Sequence, residues 1–352
     1  MSPGEKEMNE YMENFKEMPD RLLKYNEILL EGEHASPESY QETMSYRRLA
    51  IALTTRCNLT CTWCYRLDSE YKRILDKDLD LEKFKKFIQN TEGKFRMVHL
   101  GGLGEPTMYP EIIKVIQLAK KLSSNVKITS NGVLLNSETI SQYIDAGLTH
   151  IEISIDAFDK EKHDEFRGNN LDHLIDVVCY ISNKTTLHLQ INSIISSMNY
   201  KWLTNFVSVF KNAKNIKIWH TILPFLTDQA RNEGVEHISL DEYQNLLSKI
   251  EREIIKEGLK WELYPSSSGV RLDPVIEMKR KRNICFTCFE DPYIGVTGKF
   301  LFCPRQEYAP VVDISDGFEK SWNHPSLLKF RQNMLKGRFP LCCSKLCSLK
   351  PK

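Results

Sequence analysis

Short apolar runs alternate with amphipathic stretches between residues 49 and 222. Stretches with helical spacing of apolar residues lie between the runs, at 81–90, 111–122, 137–147 and 173–183. The runs are LAIALT (49–54), MVHL (97–100), VKITS (126–130), HIEISI (150–155), LHLQINSII (187–195) and IKIWHTI (216–222). This alternation favours parallel strands joined by helical crossovers. We therefore predict an α/β fold, a partial (β/α)6 TIM-type barrel that is two units short of the eight-fold barrel.

The pattern divides the chain into three parts. Residues 1–46 have helical spacing and are predicted to form a helical N-terminal lead-in. Residues 47–264 are predicted to form the barrel core, which includes a long helix at about 240–257. Residues 265–352 are rich in Cys, Gly and Pro, with weak periodicity. In this C-terminal domain YIGV and KFLFC are predicted to pair as a hairpin, with Thr297 and Gly298 at its turn.

Composition and charge exclude several classes of protein. The chain has 352 residues, 41% of them hydrophobic and 27% charged, with a formal net charge of +1. A balanced charge supplies no field that recruits polyanions, so neither nucleic acid nor a membrane surface is an expected partner. The first 27 residues contain no apolar signal segment, and no apolar run reaches the roughly 18 residues of a membrane span. We therefore expect a cytoplasmic protein.

The ten cysteines are grouped rather than scattered. They stand at positions 57, 61, 64, 179, 285, 288, 303, 342, 343 and 347. Thiols stay reduced in the cytosol, where clustered cysteines hold metal more often than they form disulfides. Two separate metal sites are therefore expected, and Cys179, on the apolar stripe of a predicted helix, is expected to be a small core residue.

The motif that carries chemistry follows the first predicted strand. In TTRCNLTCTWCYR, the cysteines Cys57, Cys61 and Cys64 have C-x3-C-x2-C spacing, and Trp63 precedes the third of them. Three thiolates on one loop can hold three irons of a [4Fe-4S] cube. A zinc site is the alternative, although structural zinc would require a fourth ligand nearby. The motif resembles the signature of the radical S-adenosylmethionine (radical SAM) enzymes, which implies a [4Fe-4S] cluster whose fourth iron binds SAM.

Further segments resemble the SAM pocket of this superfamily. LGGLGEPTMYP is similar to its GGEP segment, ITSNG to its ribose-contacting position, and SIDAFDKEKHDEFRG to its SID and FRG segments. All follow predicted strands, and parallel barrels place their chemistry at the carboxyl ends of the strands. Asp156 is alternatively a helix N-cap. The residues that the resemblance implies at the cofactor are Trp63, Gly102, Gly104, Glu105, Ser130, Asn131, Ser154, Asp156, Arg167 and Asn192.

The C-terminal cysteines resemble a second family feature. Cys288-x9-Gly298-x4-Cys303 is similar to the opening of the SPASM and Twitch extensions, which hold auxiliary clusters. The resemblance implies one auxiliary [4Fe-4S] cluster bound by Cys288, Cys303, Cys343 and Cys347, with the roles of Cys285 and Cys342 open. The spacing of Cys285, Cys288 and Cys303 is also similar to the pattern of molybdopterin-precursor cyclases, in which three cysteines bind the cluster and the open iron meets substrate.

The resemblance implies a radical SAM enzyme that forms a 5′-deoxyadenosyl radical and takes hydrogen from its substrate. A reductase such as flavodoxin or ferredoxin would supply the electron. The lead-in is shorter than the peptide-recognition domain that peptide-modifying members often carry, so we expect a small-molecule substrate such as a sugar, aminoglycoside or nucleoside. Oxidation and epimerisation are the expected reactions. The alternatives are a maturase that acts on a precursor peptide and a non-catalytic iron-sulfur or zinc-binding protein.

Overall fold

The computed structural model describes residues 48–67, 75–92, 95–168, 171–224, 226–264, 292–301 and 312–335. The predicted lead-in at 1–46 lies outside the described residues. So do all six C-terminal cysteines, at positions 285, 288, 303, 342, 343 and 347. The predicted auxiliary cluster therefore stays a prediction.

The strands form one ten-stranded sheet with the order β10-β9-β8-β1-β2-β3-β4-β5-β6-β7. Strands β1 to β7 are parallel neighbours, β8 pairs with β1 in parallel, and β9 and β10 are antiparallel. The predicted α/β fold is confirmed, and all six predicted strands are present. Their bounds are β1 Arg48–Ile51, β2 Met97–Leu100, β3 Val126–Ser130, β4 His150–Ser154, β5 His188–Ile194, β6 Ile216–Ile222, β7 Glu262–Tyr264, β8 Tyr293–Gly295, β9 Lys299–Leu301 and β10 Val312–Asp313.

The helices cross between successive strands, as predicted. Helix α3 begins at Asn136, whose side chain accepts from Thr139 N–H in a capping box, and ends at Gly147, whose φ of 110° suits glycine. None of the helices in the part of the chain described here is both long and apolar enough to cross a membrane. The helices are α1 Leu81–Gln89, α2 Ile112–Leu122, α3 Ser137–Ala146, α4 Lys160–Arg167, α5 Leu171–Lys184, α6 Phe206–Phe210, α7 Asp228–Asn232, α8 Leu240–Lys256, α9 Phe318–Trp322 and α10 Pro325–Leu335.

The two faces of the sheet differ in chemistry. Residues that face the helices are apolar and fully buried, as Val98, Ile128 and Ile151 illustrate at 0% exposure. Residues at the alternate positions of β3 and β5 are partly exposed. We call the surface made by these alternate positions the inner face. Because a strand's side chains alternate between faces, the helices cover one side of the sheet and leave the inner face accessible.

The predicted C-terminal hairpin is present and joins the barrel. Gly298, with φ of 68°, lies in the turn between β8 and β9. Phe300 of β9 packs edge-on against Phe87 of α1, with ring centroids 5.8 Å apart, and Lys83 of α1 forms a 2.6 Å ion pair with Asp313. The hairpin is thus a continuation of the barrel sheet beyond β1.

Candidate functional site

The cysteine loop follows β1 at the edge of the sheet where the parallel strands end. Cys64 N–H donates to the Cys61 carbonyl at 3.0 Å, which closes a tight turn between the second and third cysteines. Thr62 N–H donates to the Phe166 carbonyl at 3.0 Å, which ties the loop to the end of α4. The loop is therefore fixed both by its own turn and by the chain that follows β4.

Two of the three thiols, those of Cys61 and Cys64, occupy an environment that disfavours free thiolates. Cys61 is 8% exposed, and Cys57 and Cys64 are half-buried. Burial raises the pKa of the Cys61 thiol to about 11, against the opposing effect of the Arg167 guanidinium. Burial likewise raises the pKa of the Cys64 thiol. A catalytic cysteine nucleophile needs a lowered pKa, so these thiols fit metal ligands, which lose their protons when the metal binds.

The donor type at this loop is the one that a [4Fe-4S] cluster takes. Each iron of such a cube binds one thiolate, so Cys57, Cys61 and Cys64 could hold three of its four irons. A structural zinc site would need a fourth ligand beside these three. The three-thiol donor set of the loop therefore fits a [4Fe-4S] cluster with one open iron.

The segment after β2 packs directly against the cysteine loop. Gly104 N–H donates to the Thr54 carbonyl at 3.0 Å, and Glu105 N–H donates to the Arg56 carbonyl at 2.8 Å. A Cβ on Gly104 would lie 2.4 Å from the Arg56 carbonyl oxygen, and one on Gly102 would lie 2.8 Å from the Ala52 Cβ. Both glycines are thus required for close packing within the chain itself. Their predicted contact with SAM stays a prediction.

Glu105 joins the ends of β2 and β3. Its buried carboxylate accepts from the Ser130 hydroxyl at 2.8 Å and from Asn131 N–H at 2.7 Å. It also accepts from Thr107, through the backbone N–H at 3.1 Å and the hydroxyl at 2.7 Å. Gly132 N–H donates to the Ser130 oxygen at 2.9 Å. Glu105 and Ser130 are therefore fully engaged in fixing the turn that carries Asn131.

Asn131 extends from this turn to the cysteine loop. Its side-chain amide nitrogen donates to Asn58 Oδ1 at 2.8 Å and to Cys57 Sγ at 3.8 Å. Asn131 Oδ1 in turn accepts from Val133 N–H at 3.0 Å. The predicted pocket residues that follow β2 and β3 thus form one hydrogen-bonded unit that ends at Cys57, a predicted cluster ligand.

Asp156 makes the corresponding connection from β4. Its carboxylate accepts from Trp63 Nε1 at 3.0 Å, from the Arg167 guanidinium and from Ile194 N–H at 2.6 Å. The alternative that Asp156 caps the next helix is wrong, because Asp159 accepts from Lys162 N–H and caps α4. Trp63 also packs against Phe166, with ring centroids 5.3 Å apart. Asp156, Arg167 and Trp63 together fasten the cysteine loop to β4, α4 and β5.

Asn192 and Ser154 lie side by side at the ends of β5 and β4. Asn192 Nδ2 donates at 3.1 Å to Glu152, a 5% exposed residue that sequence reasoning missed. Burial raises the pKa of Glu152, but the Lys127 ammonium and the hydrogen bonds from Lys127 and Thr129 outweigh burial, so that the pKa is lowered to about 2. The signal was available: Glu152 shares its strand face with Ser154, and a carboxylate within a predicted buried strand marks a functional position.

Residues 51–187 match the family model of the radical SAM superfamily, and the predicted superfamily is confirmed for this domain. The AdoMet-dependent heme synthase of Methanosarcina barkeri is 25% identical over 207 residues, which cover 58% of each protein. The tungsten-containing aldehyde ferredoxin oxidoreductase cofactor-modifying protein of Pyrococcus furiosus is 30% identical over 110 residues, 31% of this chain and 30% of that protein. The matches span less than two thirds of these curated relatives.

The fold is similar to that of Streptococcus suis SuiB. The crystal structure of SuiB bound to S-adenosylmethionine matches with a TM-score of 0.63 at 15% identity, covering 84% of this chain and 74% of SuiB. SuiB bound to its precursor peptide SuiA matches with a TM-score of 0.60 at 17% identity, covering 85% of this chain and 70% of SuiB. At this identity the similarity concerns the fold.

Proposed function

Because residues 51–187 form a radical SAM domain, we propose that this protein cleaves S-adenosylmethionine reductively and takes a hydrogen atom from a small-molecule metabolite. The substrate class is a sugar, aminoglycoside or nucleoside, and the reaction is an oxidation or an epimerisation. A flavodoxin or ferredoxin supplies the electron. The observation that carries this proposal is the connection of the cysteine loop, through Asn131 and Asp156, to the ends of three neighbouring strands.

The chain's own residues are proposed to bind the cluster, to orient the cysteine loop and to exclude water from it. Cys57, Cys61 and Cys64 would hold three irons of a [4Fe-4S] cluster. When bound, that cluster would supply the one electron that reductive cleavage of SAM requires. Buried side chains such as Trp63 keep water from one side of the loop. Hydrogen bonds from the 105–131 unit hold the loop in a fixed orientation, and such preorganisation is the protein's part in cofactor chemistry.

An auxiliary [4Fe-4S] cluster at Cys288, Cys303, Cys343 and Cys347 belongs to the same proposal. Its support is the spacing of these cysteines in the sequence. The cluster would accept an electron from the substrate radical, giving a net two-electron oxidation, or anchor the substrate. The other pocket residues proposed to contact SAM are Gly102, Gly104, Ser130, Ser154 and Asn192.

A second candidate function is the maturation of a precursor peptide. The fold similarity to SuiB, a protein whose structure was solved with its precursor peptide, favours this alternative. The two candidates differ in what raises the rate of SAM cleavage. A metabolite should raise this rate if the protein acts on small molecules, and a peptide should raise it if the protein is a peptide maturase.

The test is SAM cleavage by the anaerobically reconstituted protein with dithionite in place of the reductase. Wild type should form 5′-deoxyadenosine and methionine, and Cys57→Ala, Cys61→Ala and Cys64→Ala should each form neither. Cys179→Ala is the matched control, since Cys179 is a half-buried residue on α5, and this variant should cleave SAM normally. A wild-type protein that carries its iron but leaves SAM intact would be a non-catalytic iron-sulfur protein, and the proposal would fail.

A further inference from the structure

The inner face of the sheet is polar, whereas the side that faces the helices is apolar. Register places His99 beside Lys127, and Thr129 beside Glu152, on adjacent strands. Glu152 is paired in turn with Gln190 of β5. Interiors of parallel barrels are ordinarily filled by branched apolar side chains, so a polar interior needs a separate explanation. We call this set the Glu152 network; its members are His99, Lys127, Thr129, Glu152, Gln190 and Asn192.

The Glu152 carboxylate is the central acceptor of the Glu152 network. Lys127, the Thr129 hydroxyl and the Asn192 amide all donate to it. Gln190 Nε2 donates to Asn192 Oδ1 at 2.6 Å. The network is thus ordered before any ligand arrives, and a polar network with its members satisfied specifies one conformation.

His99 completes the network as a neutral donor. Burial, and then the nearby Lys127 ammonium, lowers the pKa of His99 to about 3. His99 Nε2 lies 2.7 Å from Thr129 Oγ1, and the Thr129 proton is already donated to Glu152. His99 therefore carries its proton on Nε2 and donates it to Thr129.

Charge within the Glu152 network is balanced. The Lys127 ammonium and the Glu152 carboxylate neutralise each other in contact. Burial also lowers the pKa of His150, His188 and His220, so these imidazoles are neutral at pH 7. The other charged residues, Arg48, Lys217 and Glu262, lie near the beginnings of β1, β6 and β7, at the end of the strands away from the cysteine loop. The network therefore presents a ligand with polar groups whose charges are already paired.

The Glu152 network lies just beneath the cysteine loop. Asn131, which contacts Cys57, directly follows β3 and stands two residues after Thr129. A strand advances about 3.3 Å per residue, so Thr129 of the network lies within roughly 7 Å of the residue that contacts the loop. A molecule bound on the network would therefore face the edge where the cofactor binds.

We propose that the Glu152 network is the substrate-recognition surface of this enzyme, and that it binds an uncharged metabolite rich in hydroxyl or amide groups. This inference rests on the proposed function and narrows its substrate class. Lys127 and Gln190 are polar side chains that remain partly exposed on the inner face, where a hydroxylated ligand can exchange hydrogen bonds with them.

The test measures 5′-deoxyadenosine formation in the presence of fractionated metabolites. An extract of the organism that encodes the protein is freed of peptides and larger molecules by ultrafiltration. Ion exchange then separates neutral, anionic and cationic fractions. The neutral fraction should raise the rate of 5′-deoxyadenosine formation by wild type about tenfold, and Glu152→Gln should lose that stimulation while keeping its iron and its affinity for SAM. Glu111→Gln, which alters a surface ion pair with Lys114, should be stimulated as wild type is.

A second variant keeps the inference testable if Glu152→Gln does not fold. Glu152→Gln leaves the Lys127 ammonium without its partner, whereas Lys127→Met/Glu152→Gln removes both buried charges together and should also lose the stimulation. Stimulation by the anionic, cationic or retained peptide fraction, by none of the fractions, or equally in the folded double variant would overturn the inference. A wild-type protein that forms no 5′-deoxyadenosine under any condition would instead refute the proposed function itself.

Discussion

At the scale of single residues, two buried carboxylates support the cysteine loop without being ligands. Glu105 is 3% exposed and Asp156 is 1% exposed, and each accepts hydrogen bonds from at least two different elements of the chain. A buried carboxylate is tolerated when donors surround it. Replacing either residue should therefore affect stability as well as chemistry.

Glu105→Gln should lower the free energy of unfolding by about 1–3 kcal/mol, because one acceptor oxygen becomes an NH2 group that faces a buried donor. The donors at risk are the Ser130 hydroxyl and Asn131 N–H. Urea unfolding followed by circular dichroism measures the change. The control Glu111→Gln should shift stability by less than about 0.5 kcal/mol. Equal midpoints for wild type and Glu105→Gln would show that this carboxylate does not hold the turn.

Asn131→Leu should lower the midpoint reduction potential of the cluster at Cys57, Cys61 and Cys64. An N–H donor to a ligand sulfur stabilises the reduced cluster, which carries more negative charge, and leucine has no such donor. The measurement is a potentiometric titration followed by electron paramagnetic resonance. Asn125→Ala is the control, since Asn125 donates instead to the Arg96 carbonyl at 2.9 Å. An unchanged potential in Asn131→Leu would mean that the 3.8 Å contact with Cys57 Sγ does not act on the cluster.

At the scale of elements, the sequence predicts where the strands lie in the chain better than it predicts which strands pair with each other. The alternation in LHLQINSII predicts β5, and the capping residues Asn136 and Gly147 predict both ends of α3. Strand β7 has three residues, too few for a clear pattern, whereas β8, equally short, is predicted by its hairpin with KFLFC. The pairing of Ala50 in β1 with Tyr293 in β8 joins segments far apart in the chain, which no local pattern can reveal.

The candidate site could likewise be predicted only in part from the sequence. The spacing of Cys57, Cys61 and Cys64 predicts a metal-binding loop, whereas the role of Asp156 depends on its contacts with Trp63 and Ile194 N–H. Sequence reasoning looked only at the ends of strands, whereas the Glu152 network lies within them. Its signal was a polar residue at every second position of VKITS and HIEISI.

The histidines of the inner face give the protein a defined dependence of stability on pH. Burial lowers the pKa of His99 to about 3 and that of His150 to about 4, from an ordinary value of 6.5. Between about pH 6.5 and these values the unfolded chain binds more protons than the folded chain. The free energy of unfolding should therefore fall as the pH decreases through this range.

His150→Gln should weaken this pH dependence, because glutamine takes up no proton on unfolding. Urea unfolding at about pH 7 and about pH 5 measures the loss of stability for each protein. The loss should be smaller for His150→Gln than for wild type, and unchanged for the exposed control His237→Gln. Identical losses in all three proteins would refute the assignment of a lowered pKa to His150.

At the scale of the whole molecule, one sheet connects the SAM domain to the C-terminal region. The hairpin of β8 and β9 lies beside β1, the strand that precedes the cysteine loop. Packing of Phe318 against Phe95, with ring centroids 4.9 Å apart, extends the same contact to α9. The two regions are therefore expected to fold together, although their clusters are proposed to have separate roles.

The iron content should separate those roles. Two cubes of four irons imply about eight irons per chain after anaerobic reconstitution, and Cys303→Ala should retain about half of them. Cys303→Ala should still cleave SAM but form no product, provided circular dichroism shows the fold intact. About four irons in wild type, with zinc present as well, would remove the auxiliary cluster from the account. Normal turnover by folded Cys303→Ala would make that cluster structural.

The most direct measurement is the electron paramagnetic resonance spectrum of the dithionite-reduced protein with and without SAM. Three cysteine ligands leave one iron open, so SAM should change the signal of the cluster at Cys57, Cys61 and Cys64. Cys303→Ala isolates this signal from that of the proposed auxiliary cluster, and Cys179→Ala should respond to SAM as wild type does. A cluster signal that SAM leaves unchanged, in a protein with its full iron content, would contradict the central claim that this loop binds the cofactor through an open iron.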